Sequence, residues 1–209
     1  MAEIPAYGVD NRQPRDYFDQ HAHRWDSMAM PGMAGRLKAI FTRLEINPAG
    51  RVLDIGSGTG VILSCLLPRL DGEGRVVEMD IAGVMLQKGA EKSGDGRVSF
   101  IQADVHRLPF AAGIFDLVIC HNAFPHFSNQ ALALKEIAGV TARGGRVIIS
   151  HIMSRDAVNS FHQHIGGVVG HDQLPDEPAL RQMMGDAGFS WLSVEDMEER
   201  YIAVAWKTA

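Results

Sequence analysis

The chain has 209 residues, 46% of them hydrophobic and 22% charged, and a formal net charge of −5. That length fits one domain with a substantial core, and the acidic balance argues against a nucleic-acid grip built on a basic face. A small acceptor molecule or a protein partner is expected instead, with the chain a monomer or homodimer. Cys65 and Cys120 each sit in an apolar run and give no disulfide framework. No run approaches the roughly 18 apolar residues of a membrane span and no basic-then-apolar leader is seen, so a cytoplasmic protein is expected.

In chain order, Tyr7 to Ile46 reads as mostly helical. Val52 to Gly60 is an apolar run ending in an acid and three glycines at alternate positions, the pattern of a strand that stops at a ligand. Val61 to Leu70 has helical spacing, followed by the polar link Asp71-Gly72-Glu73-Gly74 and a strand over Arg75 to Asp80. Helices over Val84 to Lys92 and Gln130 to Val140 then alternate with strands over Val98 to Ile101, Phe115 to Cys120 and Arg146 to Ser150. Such alternation requires crossover connections and hence a parallel sheet with helices on both faces. Ile152 to Ala187 reads as one or two helices around Gly166-Gly167, and Trp191 to Val194 with Tyr201 to Trp206 as an antiparallel hairpin. The expected fold is α/β, doubly wound, with a mostly parallel seven-stranded sheet and an antiparallel C-terminal hairpin. As one domain it comprises a helical cap (1–46), a cofactor-binding core (47–150), a histidine-rich helical segment (151–188) and the hairpin (189–209).

In such sheets the ligand lies beyond the carboxyl ends of the strands, where strand order reverses. Asp80 ends the second strand, where a carboxylate can accept from both hydroxyls of a ribose. Asp104 follows the third strand, where it can accept from an exocyclic amine; Asp54, just before the loop, can pair with an ammonium group or cap loop amides. The loop is Gly-x-Gly-x-Gly, not the Gly-x-Gly-x-x-Gly dinucleotide fingerprint, and no lysine makes it a Walker loop. A dinucleotide-dependent oxidoreductase is therefore disfavoured.

Val52 to Gly60, Val77 to Ile81, Gln102 to Val105 with Leu108-Pro109-Phe110, Phe115 to Cys120, Glu136-Ile137 and Gly144 to Ile149 together resemble the class I S-adenosylmethionine-dependent methyltransferases. The likeness is to the small-molecule group that includes the ubiquinone and menaquinone biosynthesis enzymes. Tyr17-Phe18-Asp19 with Trp25-Asp26 resembles the segment that packs over the cofactor in that family; Thr141-Ala142-Arg143 departs from its usual turn. The resemblance implies a Rossmann-like fold and S-adenosylmethionine as cofactor, leaving as S-adenosylhomocysteine. It places Asp80 on the ribose, Asp104 and Val105 on the adenine edge, and Gly56, Ser57, Gly58 and Gly60 around the methionine moiety. Tyr17, Asp54, Ile81 and His121 are further expected cofactor contacts.

Six of the nine histidines fall between positions 121 and 171. His121, His126 and His151 follow strands and should approach the ligand; His126 first, and His151 second, are the expected bases for an acceptor that must lose a proton. His162 and His164 are two apart and cannot chelate from one helix face, and His-x-x-x-His spacing is missing, so no metal is expected. Phe124, Phe127, Phe161 and the methionines from Met28 to Met33 would make the acceptor pocket apolar, favouring a flat or apolar small molecule. The competing reading is a non-catalytic module that binds S-adenosylmethionine or S-adenosylhomocysteine and acts through a protein partner.

Overall fold

The computed structural model describes residues 12–28 and 32–208, with the side chains of Arg12 and Trp191 left aside. The helical reading of Tyr7 to Asn11 and the position of Met30 lie outside the described residues.

Among the described residues, seven strands form one sheet: β1 (Arg51–Ile55), β2 (Arg75–Asp80), β3 (Val98–Gln102), β4 (Phe115–His121), β5 (Thr141–His151), β6 (Phe189–Met197) and β7 (Arg200–Lys207), in the order β3-β2-β1-β4-β5-β7-β6. The first five pair in parallel, and β7 runs antiparallel between β5 and β6. Strands buried on both faces must be apolar throughout, and Phe115-Asp116-Leu117-Val118-Ile119-Cys120 is buried at every position but Asp116. Alternate residues feed two cores. Val118 and Cys120 pack on one face, Leu117 and Ile119 on the other.

Among the described residues there are seven α-helices: α1 (Arg12–His21), α2 (Met33–Phe41), α3 (Leu63–Leu66), α4 (Gly83–Lys92), α5 (Gln130–Val140), α6 (Arg155–Ile165) and α7 (Glu177–Ala187). Local chemistry sets their ends. The side chains of Asn129, Ser154 and Asp176 accept from the backbone N–H of Leu132, Ala157 and Ala179 at the starts of α5, α6 and α7, and Gly188, left-handed at φ 95°, ends α7.

Two expectations need correction. Val61 to Leu70 is not one helix: after turns through Ile62, α3 lasts four residues and gives way to a 3₁₀ turn over Leu67–Arg69. Left-handed Gly60 delays the start, and Pro68 has no N–H to continue the α-helical ladder. Strand β5 begins at Thr141, not Arg146. Thr141 pairs with Phe115, the chain bulges through the next four residues, and pairing resumes between Arg146 and Leu117. No helix among the described residues is long and apolar enough to cross a membrane.

Candidate active site

A cavity of about 500 Å³ lies beyond the carboxyl ends of β1, β2 and β4, where strand order reverses, within the size range of small-molecule sites. Its floor is the glycine loop. Gly56, Gly58 and Gly60 all have positive φ, at 70°, 56° and 76°, a conformation L side chains resist. A Cβ on Gly56 would stand 2.5 Å from that of Ala123, whereas at Gly58 the nearest atom is Trp25 Nε1 at 4.0 Å. The first glycine is thus demanded by packing; the second leaves bare backbone facing the cavity.

Asp80 fastens this loop to α4. Its Oδ2 accepts from Gly58 N and its Oδ1 from Ala82 N, both at 2.8 Å. Burial raises the Asp80 pKa, although these backbone donors favour the carboxylate. Asp104 accepts from the backbone N–H and the Nδ1 of His106 at 2.9 and 2.7 Å, and both residues line the cavity.

The N-terminal segment closes the site from above. Asp19 Oδ1 accepts from Val84 N at 2.8 Å, capping α4; Asp26 accepts from Thr59 Oγ1 at 2.6 Å and from Lys92 Nζ at 2.8 Å. Phe18 sets its ring edge-on to Trp25 and to His126, with centroids 5.7 and 5.1 Å apart. Glycine loop, α4 and cap are therefore joined by charged hydrogen bonds, the stronger class of such contacts.

Beneath the loop, Asp54 and Glu78 face each other in register on β1 and β2, 1% and 0% exposed. Asp54 Oδ1 and both Glu78 carboxyl oxygens have no hydrogen-bond partner among the described residues. Burial pushes Glu78 up to about 8; the nearby Ser57 hydroxyl only partly opposes this, and the Asp80 charge adds to it. Burial, with Glu78 and Asp80 alongside, raises Asp54 too.

His121, His126, His151 and His162 also line the cavity. His121 Nδ1 lies 2.9 Å from Ser150 Oγ, and burial lowers its pKa to about 4. His151, pressed against Tyr201, is held well below the ordinary value by burial and by the neighbouring His121, His126 and His162; its Nε2 has no partner among the described residues. His126 Nδ1 meets Asp172 Oδ2 at 2.7 Å, and the His162 ring lies 4.8 Å from that of His126.

Of the residues singled out from the sequence, Tyr17, Gly56, Ser57, Gly58, Asp80, Ile81, Asp104, Val105, His121, His126 and His151 all line this one cavity. Asp54 and Gly60 do not: they lie under the loop, a Gly60 Cβ position being 3.5 Å from Glu78 Oε2. Phe127, Phe161, Met28 and Met33 line the cavity, while Phe124 is fully buried in the core; His164 and His171 are exposed to solvent. Three residues escaped the sequence reading. Asn122, left-handed at φ 53°, follows β4 and faces the cavity, and its tolerance of that conformation was the available signal. Glu78 is hidden in an apolar strand, and Asp172 is 46 positions from the histidine it holds.

A family model described as a methyltransferase domain matches residues 53–149. The chain is 31% identical over 205 residues to the ubiquinone/menaquinone biosynthesis C-methyltransferase UbiE of Proteus mirabilis, covering 82% of this chain and 81% of that one. The enzyme of the same name from Idiomarina loihiensis is 28% identical over 220 residues, with 90% and 87% covered. Among solved structures, a SAM-dependent methyltransferase from Aquifex aeolicus superposes with a TM-score of 0.73 at 17% identity, covering 90% of this chain and 98% of that one. A Haloferax volcanii complex between the Trm112 methyltransferase activator and a methyltransferase matches with a TM-score of 0.76 at 19% identity, covering 92% and 98%. At those identities the two structures speak for the fold, and the Proteus relative speaks for the family. The chain belongs to the class I S-adenosylmethionine-dependent methyltransferases, is similar to the ubiquinone/menaquinone biosynthesis C-methyltransferases, and takes its methyl group from S-adenosylmethionine.

Proposed function

We propose that the enzyme methylates a small, flat or apolar acceptor held between α1, α6 and the carboxyl ends of β4 and β5, with the segments named from the sequence working as one domain. The observation that carries this reading is a single cavity lined both by the glycine loop and by Phe18, Phe127, Met153, Phe161 and imidazoles. A module that only sensed the cofactor would need no such chamber. The Haloferax likeness to a methyltransferase in complex with its activator is the one observation favouring action through a protein partner.

The residues present fit S-adenosylmethionine. Gly58 offers bare backbone, Asp80 keeps a carboxylate at the cavity wall for ribose hydroxyls, and Asp104, Val105 and His106 line the pocket where the adenine edge would lie. When bound, the cofactor supplies a methyl group on a sulfonium, whose departure as a neutral thioether needs no acid. The protein's tasks are then alignment of the acceptor behind the methyl carbon and exclusion of water. The cap residues Phe18 and Trp25 serve the second task. His126 is the better base: it keeps a carboxylate partner, whereas burial and neighbouring imidazoles disfavour protonation of His151.

Calorimetric titration with S-adenosylmethionine, S-adenosylhomocysteine and NAD, followed by a radiolabelled-methyl screen of planar aromatic acceptors, tests the reading. Binding of the first two ligands without NAD is expected, with methyl transfer that falls in His126→Ala while S-adenosylhomocysteine affinity holds. Cofactor binding with no transfer to any apolar small molecule, and transfer to a protein instead, would overturn it.

A further inference from the structure

His126 is held by a carboxylate that is itself locked in place. Asp172 lies between α6 and α7, and each residue from Asp172 to Leu174 is pinned by a side chain from another element. His162 Nδ1 donates to the Asp172 carbonyl at 2.9 Å; Gln130 Nε2 donates to the Gln173 carbonyl at 2.9 Å. Asn159 spans Leu174, accepting from its N–H at 2.8 Å and donating to its carbonyl at 3.1 Å. The Asp172 N–H also donates to the Val169 carbonyl at 3.1 Å. A surface ion pair needs none of this support. Three clamps on three successive residues of an irregular segment fix where the Asp172 carboxylate stands.

That carboxylate meets Nδ1 of His126, and Nε2 has no hydrogen-bond partner among the described residues. The ring lines the cavity, with Phe18 of α1 edge-on to it at 5.1 Å and His162 of α6 tilted against it at 4.8 Å; Asp172 does not line the cavity. A carboxylate on Nδ1 selects the tautomer with the proton on that nitrogen, leaving the Nε2 lone pair as acceptor and stabilising the imidazolium once a proton arrives.

We propose that Asp172 is a positioning residue that holds His126 with Nδ1 protonated and presents Nε2 to the cavity as the proton acceptor for methylation of acceptors that must give up a proton. The inference rests on the proposed small-molecule methyl transfer and narrows its acceptor to one bearing a hydroxyl, thiol, amine or acidic carbon. The acceptor's proton passes to Nε2, the Asp172 carboxylate balances the imidazolium, and the proton then leaves to solvent. His151 from β5 and His162 from α6 are further titratable groups close to this ring.

The test needs no acceptor. The full chain labelled with ¹⁵N-histidine gives long-range proton–nitrogen correlations for each imidazole, with His126 assigned by its loss in His126→Gln. In the neutral ring the wild type is expected to show Nδ1 protonated and Nε2 bare. Asp172→Ala should move the proton mainly to Nε2, and Asp172→Asn, whose amide oxygen still accepts, should give a mixture. A wild-type ring protonated on Nε2 overturns the proposal. So does an unchanged tautomer in the Ala variant; where that variant does not fold, the wild-type tautomer is the deciding measurement. Failure of the methyl-transfer reading shows separately, as cofactor binding by the wild type without methyl transfer to any apolar small molecule.

Discussion

Replacing Glu78 by Gln isolates the cost of burying an acid under the glycine loop. Glu78 is 0% exposed, neither of its oxygens has a hydrogen-bond partner among the described residues, and burial raises its pKa from 4.5 to about 8. Between those two values the folded chain keeps a proton that the unfolded chain has released, so this group lowers stability as pH rises. Each pH unit above 4.5 costs about 1.4 kcal/mol, which reaches about 3 kcal/mol at pH 7. Glutamine has the shape of the protonated acid and no proton to lose. Glu78→Gln is therefore expected to be about 3 kcal/mol more stable than wild type at pH 7 but less than about 1 kcal/mol more stable at pH 5. With roughly 2–4 °C of melting temperature per kcal/mol for a chain of this size, the pH 7 gain is about 6–12 °C. Urea unfolding at pH 5, 6 and 7 in the absence of cofactor reads the difference. A stability gap that stays constant across that range would mean Glu78 is ionised throughout, and the reasoning would fail.

Asp80→Ala removes the acceptor that ties Gly58 to Ala82 along with the carboxylate proposed for the ribose hydroxyls, and should weaken S-adenosylhomocysteine binding by about 1–3 kcal/mol in calorimetry. Undiminished affinity in a folded variant would remove Asp80 from the site. Gly56→Ala and Gly58→Ala should separate packing from binding. The first forces a methyl to within 2.5 Å of Ala123 at φ 70° and should cost about 1–3 kcal/mol of stability; the second enters open space and should cost less stability but block the cofactor. Equal melting temperatures for the two variants would contradict the contact geometry.

The sheet could be read from the chain because its parallel strands must be apolar on both faces and must alternate with helices, as in Phe115 to Cys120 followed by Gln130 to Val140. That Gly56, Gly58, Asp80 and Asp104 would line one cavity was legible for a related reason: loop glycines and strand-end acids fall at fixed chain positions wherever strand order reverses. The length of α3 was less so, since apolar spacing over Val61 to Leu70 hides the delay imposed by Gly60 and the stop imposed by Pro68. Nor could pairings made by tertiary folding be seen. Asp172 reaches His126 across 46 positions, and Asp26 reaches Thr59 across 33 and Lys92 across 66. Glu78 escaped because an acid in an apolar run reads as a solvent-facing position until its neighbours are known.

The placement of β7 between β5 and β6 has a consequence for how the chain assembles. Strand β6 comes earlier in the sequence, yet its one neighbour in the sheet is β7. Until Arg200 to Lys207 docks on β5, β6 has no partner in the sheet, and β5 keeps a row of open N–H and C=O groups along Arg146 to His151. During synthesis or refolding the nascent sheet therefore carries a sticky edge until its seventh strand arrives, and this late step is where a competing chain can pair in its place.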